Sequence, residues 1–213
     1  MSDIFREVED ALKEDRAKAL WKKYGTWLIT LAIVIVLAVG GFVWWQNYSR
    51  GQVAQQGADL VVALTLAQQD EQAGIDALAI LAQESSGDVS ALARINSASL
   101  MANTGDVEGA VLLFRTIAGE GGVSPVWRDL ALLLAAQHSV DTAPPEEILS
   151  ELEALTQDSN AWRHSARELT ALLAMRQGDD AEALRIYEAL RDDDTAPEGL
   201  RNRATAMAAL LAE

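Results

Sequence analysis

No charged residue occurs between Lys23 and Arg50, and the 22 residues from Tyr24 to Trp45 read YGTWLITLAIVIVLAVGGFVWW. A bilayer core about 30 Å thick needs about 20 apolar residues as a helix at 1.5 Å per residue. The run is β-branched in its middle, as a strand can be, but strands cross lipid only in closed barrels and the sequence holds one such run. A buried core helix is the other alternative, yet such helices rarely stay apolar all round for six turns. The sequence therefore predicts a transmembrane helix. Trp21, Tyr24 and Trp27 mark one interface, and Trp44, Trp45 and Tyr48 mark the other. These rings bury an apolar body and keep a polar edge in water.

Basic residues set the orientation. Lys13, Arg16, Lys18, Lys22 and Lys23 precede the run, whereas only Arg50 follows it before Arg94. This asymmetry places the N-terminus in the cytoplasm. A cleaved signal would have a shorter apolar core and a small-x-small site after it. Bulky FVWWQNY stands there instead, so an uncleaved signal anchor is expected. The chain divides into a helical cytoplasmic arm (1–23), an anchor (24–48) and an exported domain (49–213).

Composition bounds the exported domain. It is large enough for a core of its own. The first 23 residues carry six basic and six acidic groups, and the remainder carries eleven arginines against 26 acidic residues, so the whole net charge of −15 lies beyond the arm. Such a domain is repelled by phosphate backbones and anionic lipid, which argues against nucleic-acid binding. The absence of cysteine excludes a disulfide framework and thiol catalysis.

The domain is rich in Ala and Leu and poor in strand signals. Helices are expected near 52–69, 72–84, 89–104, 107–118, 124–138, 145–156, 160–177, 180–192 and 197–212. Asp88, Asp106 and Asp179 suit helix starts, and Gly87, Gly105 and Gly178 suit the left-handed residue after a helix end. Pro145 with Glu146 and Glu147 suits a first turn.

An internal offset of 73 residues is the most informative pattern. It pairs Ala93 with Ala166, Arg94 with Arg167, Ala98 with Ala171, and Leu100 with Leu173. It also pairs Gly105-Asp106 with Gly178-Asp179, Ala110 with Ala183, and Phe114 with Tyr187. The offset is about two helix–turn–helix units. Antiparallel helices approach closely where small residues face each other, so Ala98 with Ala110, and Ala171 with Ala183, mark contact points. The aromatic residue then fills the gap to the next unit.

The segments ALARINSASLMANTGDVEGAVLLF and SARELTALLAMRQGDDAEALRIY thus resemble tetratricopeptide (TPR) repeats. Arg94 and Arg167 stand where such repeats begin with an aromatic residue, the closing proline is displaced to Pro125 and Pro197, and residues 124–157 fit poorly. Two good units and one or two degenerate ones are expected. The layout as a whole, with its GGFVWWQNY exit at 40–48, is similar to the YfgM-like ancillary subunits of the bacterial SecYEG translocon. That resemblance implies an all-α chain: one N-terminal transmembrane helix, then a periplasmic TPR-like α-solenoid. It implies protein partners, namely translocon subunits and a periplasmic chaperone or isomerase. An accessory or structural subunit of another bacterial inner-membrane complex, envelope or respiratory, is the alternative.

Catalytic signatures are scarce. His138 and His164 lack partners at metal-ligand spacing and suit surface or helix-end roles, and no GxSxG elbow or phosphate-binding loop occurs. Gly119-Glu120-Gly121-Gly122 suits a helix end. Asp192, Asp193 and Asp194 lack the calcium-loop pattern and read as a solvated turn. Trp127 and Trp162 read as core packing. No enzyme activity, cofactor, metal or small-molecule substrate is expected. Carried across from the TPR pattern, the binding groove comprises Ile95, Ser99, Asn103, Glu168, Leu172 and Arg176. The C-terminal segment, Glu198 to Glu213, is amphipathic and could equally fill that groove.

Overall fold

A computed structural model describes residues 34–42, 44–45 and 55–212 of the chain. It separates into two units, residues 1–55 and 56–213. In the first, residues 34–42 and 44–45 are helical. Val36, Leu37, Phe42, Trp44 and Trp45 are each about two-thirds exposed. The arm and most of the anchor, including Trp21, Tyr24, Trp27 and Tyr48, lie outside the described residues. Among the described residues no helix is long and apolar enough to cross a membrane.

The second unit is helical throughout its described residues. Its helices are α1 (55–67, of which 56–67 fall in this unit), α2 (Glu71–Glu84), α3 (Gly87–Asn103), α4 (Val107–Ala118), α5 (Pro125–Ser139), α6 (Pro145–Leu152), α7 (Arg163–Arg176), α8 (Asp180–Asp192) and α9 (Glu198–Leu211). Successive helices pack as antiparallel neighbours, and α3 with α5, α5 with α7, and α7 with α9 also touch. Helices α3, α5, α7 and α9 begin 35 to 38 residues apart. That is one helical hairpin per step, and the poorly fitting stretch 124–157 supplies one of the hairpins. It diverges because α6 is only eight residues long. The Arg167 guanidinium donates to the Thr156 carbonyl at 2.8 and 3.0 Å and reaches Asp158 at 2.5 Å. The Thr156 carbonyl thereby bonds to a side chain of α7 in place of an amide of its own helix, which fits the early end of α6.

The two Gly-Asp turns are the same structure built twice. Gly105 and Gly178 have φ of 102° and 79°. After α3, the Asp106 amide donates to Met101 and the Gly105 amide to Ala102; after α7, the Asp179 amide donates to Ala174 and the Gly178 amide to Met175. Each aspartate then caps the next helix, Asp106 accepting from the Gly109 amide and Asp179 from the Glu182 amide, both at 3.0 Å. One residue thus closes one helix and opens the next. A Cβ at either glycine would meet nothing within 4 Å. Gly105→Ala and Gly178→Ala therefore carry a purely conformational cost, expected at about 1–2 kcal/mol each and additive in the double variant, by urea unfolding.

Asp88 departs from its expected role. It lies inside the first turn of α3. Its carboxylate accepts from the Ser124 amide at 2.8 Å and the Ser124 hydroxyl at 2.6 Å. These bonds hold it below its ordinary carboxylate range, the hydroxyl contributing most. The tie spans 36 residues and joins the starts of α3 and α5. Two others repeat the interval: the Trp162 indole N–H donates to the Val126 carbonyl at 2.8 Å, and Arg176 donates to the Val140 carbonyl. Polar groups thus fasten equivalent places of adjacent hairpins.

The alanine and aromatic pairs of the 73-residue offset share burial, whereas Leu100 is half-buried and Leu173 fully buried. Ala93 and Ala166, Ala98 and Ala171, and Ala110 and Ala183 are fully buried, as is Phe114, with Tyr187 at 3 % exposure. Phe114 packs with Ala131 and Ala135 of α5, and Tyr187 with Leu200, Ala204 and Ala208 of α9. The arginine pair is also used, but differently. Arg94 forms a forked pair with Glu120 at 2.5 and 2.7 Å, reaching forward, whereas Arg167 reaches back. Glu120 stands in the glycine cluster that ends α4, so that cluster also anchors α3.

Candidate functional site

The strongest candidate site is a groove of about 720 Å³ across α5, α7 and α9. Helix α5 contributes Leu130, Leu133, Leu134 and Gln137, and α7 contributes Ser165, Glu168, Leu169 and Leu172. Arg203, Ala206 and Met207 of α9 and Tyr187 of α8 complete the lining. One forked ion pair crosses it: the Arg203 guanidinium donates to both Glu168 carboxylate oxygens at 2.8 Å. The Glu168 carboxylate raises the affinity of that guanidinium for its proton. The arrangement offers leucine surface with a single polar clasp, which suits the apolar side of a peptide or helix.

Of the six groove residues expected from sequence, Glu168 and Leu172 line this groove. Ile95 is 4 % exposed and belongs to the core shared by α3, α4 and α5. The Ser99 hydroxyl bonds to the Ile95 carbonyl of its own helix at 2.9 Å, and Asn103 is exposed at the end of α3. Arg176 donates to the Val140 carbonyl and to the Ala143 carbonyl, the latter at 2.7 Å, so it holds the turn before α6. Helix α5 lies between the α3 and α7 positions and separates the two expected triplets.

Sequence reading missed the α5 and α9 walls. A signal for them existed in the hairpin spacing. Moved back by the 38-residue step between helix starts, Glu168 and Leu172 fall on Leu130 and Leu134; moved forward by the 35-residue step, they fall on Arg203 and Met207. The C-terminal segment borders the groove instead of filling it. Leu200, Ala204 and Ala208 of α9 are buried against α8, which turns Arg203 and Met207 to the groove.

The histidines and aspartates organise differently. His138 stacks on Phe114 with ring centroids 5.8 Å apart, at the end of α5. His164 is 7 % exposed, not at the surface. Its Nε2 faces the Asp193 carboxylate at 3.0 Å and the Thr195 hydroxyl at 3.3 Å. Thr, His and Asp are the residue types of a nucleophilic triad. Here both partners meet the same ring nitrogen, and the Thr195 hydroxyl donates to Asp193 at 2.6 Å, so no base is aligned on the hydroxyl. The cluster ties the start of α7 to the turn before α9. Among the described residues no group of three or more His, Asp and Glu could hold a metal. Trp127 and Trp162 are half-buried and pack against core clusters.

Asp193 is held down to about 2, chiefly by the Thr195 hydroxyl and amide and then by His164. A carboxylate lowered on folding stabilises the fold above its unfolded value near 4, and that contribution is lost as pH falls through the folded value. Thermal denaturation should therefore show a stability loss between about pH 4 and pH 2 that Asp193→Asn flattens.

The model of the family described as a tetratricopeptide repeat-like domain matches residues 18–207. A search of curated proteins gives no match. The hairpin spacing, the duplicated Gly-Asp turns, the facing alanines and this match agree, and the chain belongs to the tetratricopeptide repeat-like domain family.

Proposed function

We propose that this chain is a non-enzymatic, membrane-tethered adaptor of the bacterial inner membrane, with its arm in the cytoplasm and its solenoid in the periplasm. The observation that carries the binding role is the leucine-lined groove across α5, α7 and α9, on a fold whose family members serve as protein-interaction modules. The tether is supported by the charge-free run, its aromatic flanks and the basic residues before it. The family match, residues 18–207, spans that run. By resemblance the adaptor sits beside the Sec translocon and hands emerging proteins to a periplasmic chaperone or isomerase. A tether raises the effective concentration of a modest binder near its target.

In vivo crosslinking, mild detergent extraction and mass spectrometry test this reading. Recovery of SecY with a periplasmic chaperone or isomerase is the expected result. Leu172→Glu, which places a charge on the groove's leucine surface, should lower that recovery about tenfold or more with an unchanged helical CD spectrum. Equal recovery from the variant would move the binding surface elsewhere.

A second reading, an accessory subunit of another inner-membrane complex, has an observation of its own. Gly40 and Gly41 are helical, and a Cβ on either would meet nothing within 4 Å. Glycines against which no described residue packs suit close approach of another membrane helix. Gly40→Leu with Gly41→Leu should disrupt that assembly and spare groove binding.

A further inference from the structure

We infer that Arg203 is an internal stand-in for a basic side chain of the partner, and that the groove selects apolar segments carrying lysine or arginine. The inference rests on the reading of the groove as a protein-binding site and specifies its ligand. Among the residues lining the groove, Glu168 and Arg203 alone carry charge. Their burial is unequal: the Glu168 side chain is 25 % exposed and that of Arg203 is 61 % exposed. The carboxylate is the fixed half of the pair. The guanidinium reaches it from the outer wall, while the opposite face of α9 is held by Leu200, Ala204 and Ala208. Arg203 can therefore leave Glu168 without moving its helix, and an exposed pair of this kind is only weakly held.

A ligand can open the pair in two ways. A carboxylate can capture Arg203, or a cation can capture Glu168. The surrounding charge decides between them. Beyond the arm, eleven arginines face 26 acidic residues, and the resulting negative potential draws cations and repels carboxylates. The leucine floor then buries the apolar side chains that flank the incoming cation.

The test uses the full-length protein in mild detergent and fluorescence anisotropy with three labelled amphipathic peptides of leucine, alanine and serine. One carries lysines, and the others carry glutamine or glutamate in their place. The wild type should bind the lysine peptide best and the glutamate peptide worst. Arg203→Gln and Arg203→Ala should both tighten the lysine peptide about two- to fivefold, the range an exposed ion pair is worth, with the CD spectrum unchanged. Glu168→Gln should bring the lysine and glutamine peptides to equal affinity. If both Arg203 variants weaken the lysine peptide, or if the wild type prefers the glutamate peptide, Arg203 is itself a contact and the inference fails while the groove reading stands. Failure of the wild type to bind any of the three peptides overturns both.

Discussion

Phe114→Ala is expected to lower the stability of the helical domain by about 3–5 kcal/mol, with a fall in Tm of roughly 6–20 °C. Phe114 is the largest fully buried side chain among the described residues. It stands where three helices meet, against Ala98 of α3, Ile117 of its own helix, and Ala131 and Ala135 of α5, with His138 stacked on its ring. Those neighbours are mostly alanines, whose methyl groups have no rotamer that reaches into the space, so the cavity collapses poorly. In a solenoid each hairpin is stabilised by its neighbours, and the loss at one junction weakens the coupling across it. Thermal unfolding followed by CD measures the effect. A loss below about 1 kcal/mol would mean that the surrounding helices close the gap. Phe114→Leu should recover most of the stability.

Gly74→Ala is expected to destabilise the first hairpin by about 1–3 kcal/mol, against the direction of helix propensity. Gly74 lies inside α2, where alanine is normally better by up to about 1 kcal/mol. Its missing side chain is where α1 approaches. A Cβ there would stand 2.2 Å from the Ala67 Cβ and 2.4 Å from its Cα. Backbone cannot yield as the end of a flexible side chain can, so α1 must withdraw. Withdrawal exposes the small core formed by Ala63, Leu78, Leu81 and Ala93. Hydrogen exchange should show faster amide exchange over residues 55–84, with α7 to α9 unaffected. Exchange unchanged or slower in α1 and α2 would show that the helices shift apart at no cost.

The helices themselves were legible because their punctuation is chemical. Gly105-Asp106 and Gly178-Asp179 each contain one residue that accepts positive φ and one that caps, so both boundaries follow from two letters. Pro125 and Pro145 open helices for the same local reason. The repeat was legible through volume: alanines at the contact points and one aromatic residue in each of the two matching units let their hairpins pack closely. Where the sequence reading differed from the structure, the deciding contact came from far along the chain. Asp88 had the form of a cap but bonds to Ser124. Residues 153–156 had the composition of helix but lie beyond the end of α6, with the Thr156 carbonyl bonded to Arg167.

The groove shows the same division. Residue types and spacing placed Glu168 and Leu172 on an interacting face, because the family pattern aligns them within one unit. They carried no information about α5 entering between the α3 and α7 positions, which buries Ile95 and supplies Leu130 and Leu134 in its place. Nor did they show that α9 turns Arg203 towards Glu168, 35 residues away. By itself the sequence determined the all-helical class, the hairpin unit, the acidic surface and the charge-free run, since each depends on local propensity, volume or charge. Only the tertiary structure decided which side chains meet in the groove and which are spent holding it together. A pairing across 35 residues is set by the stacking angle of successive hairpins, and that angle belongs to no single segment of the chain.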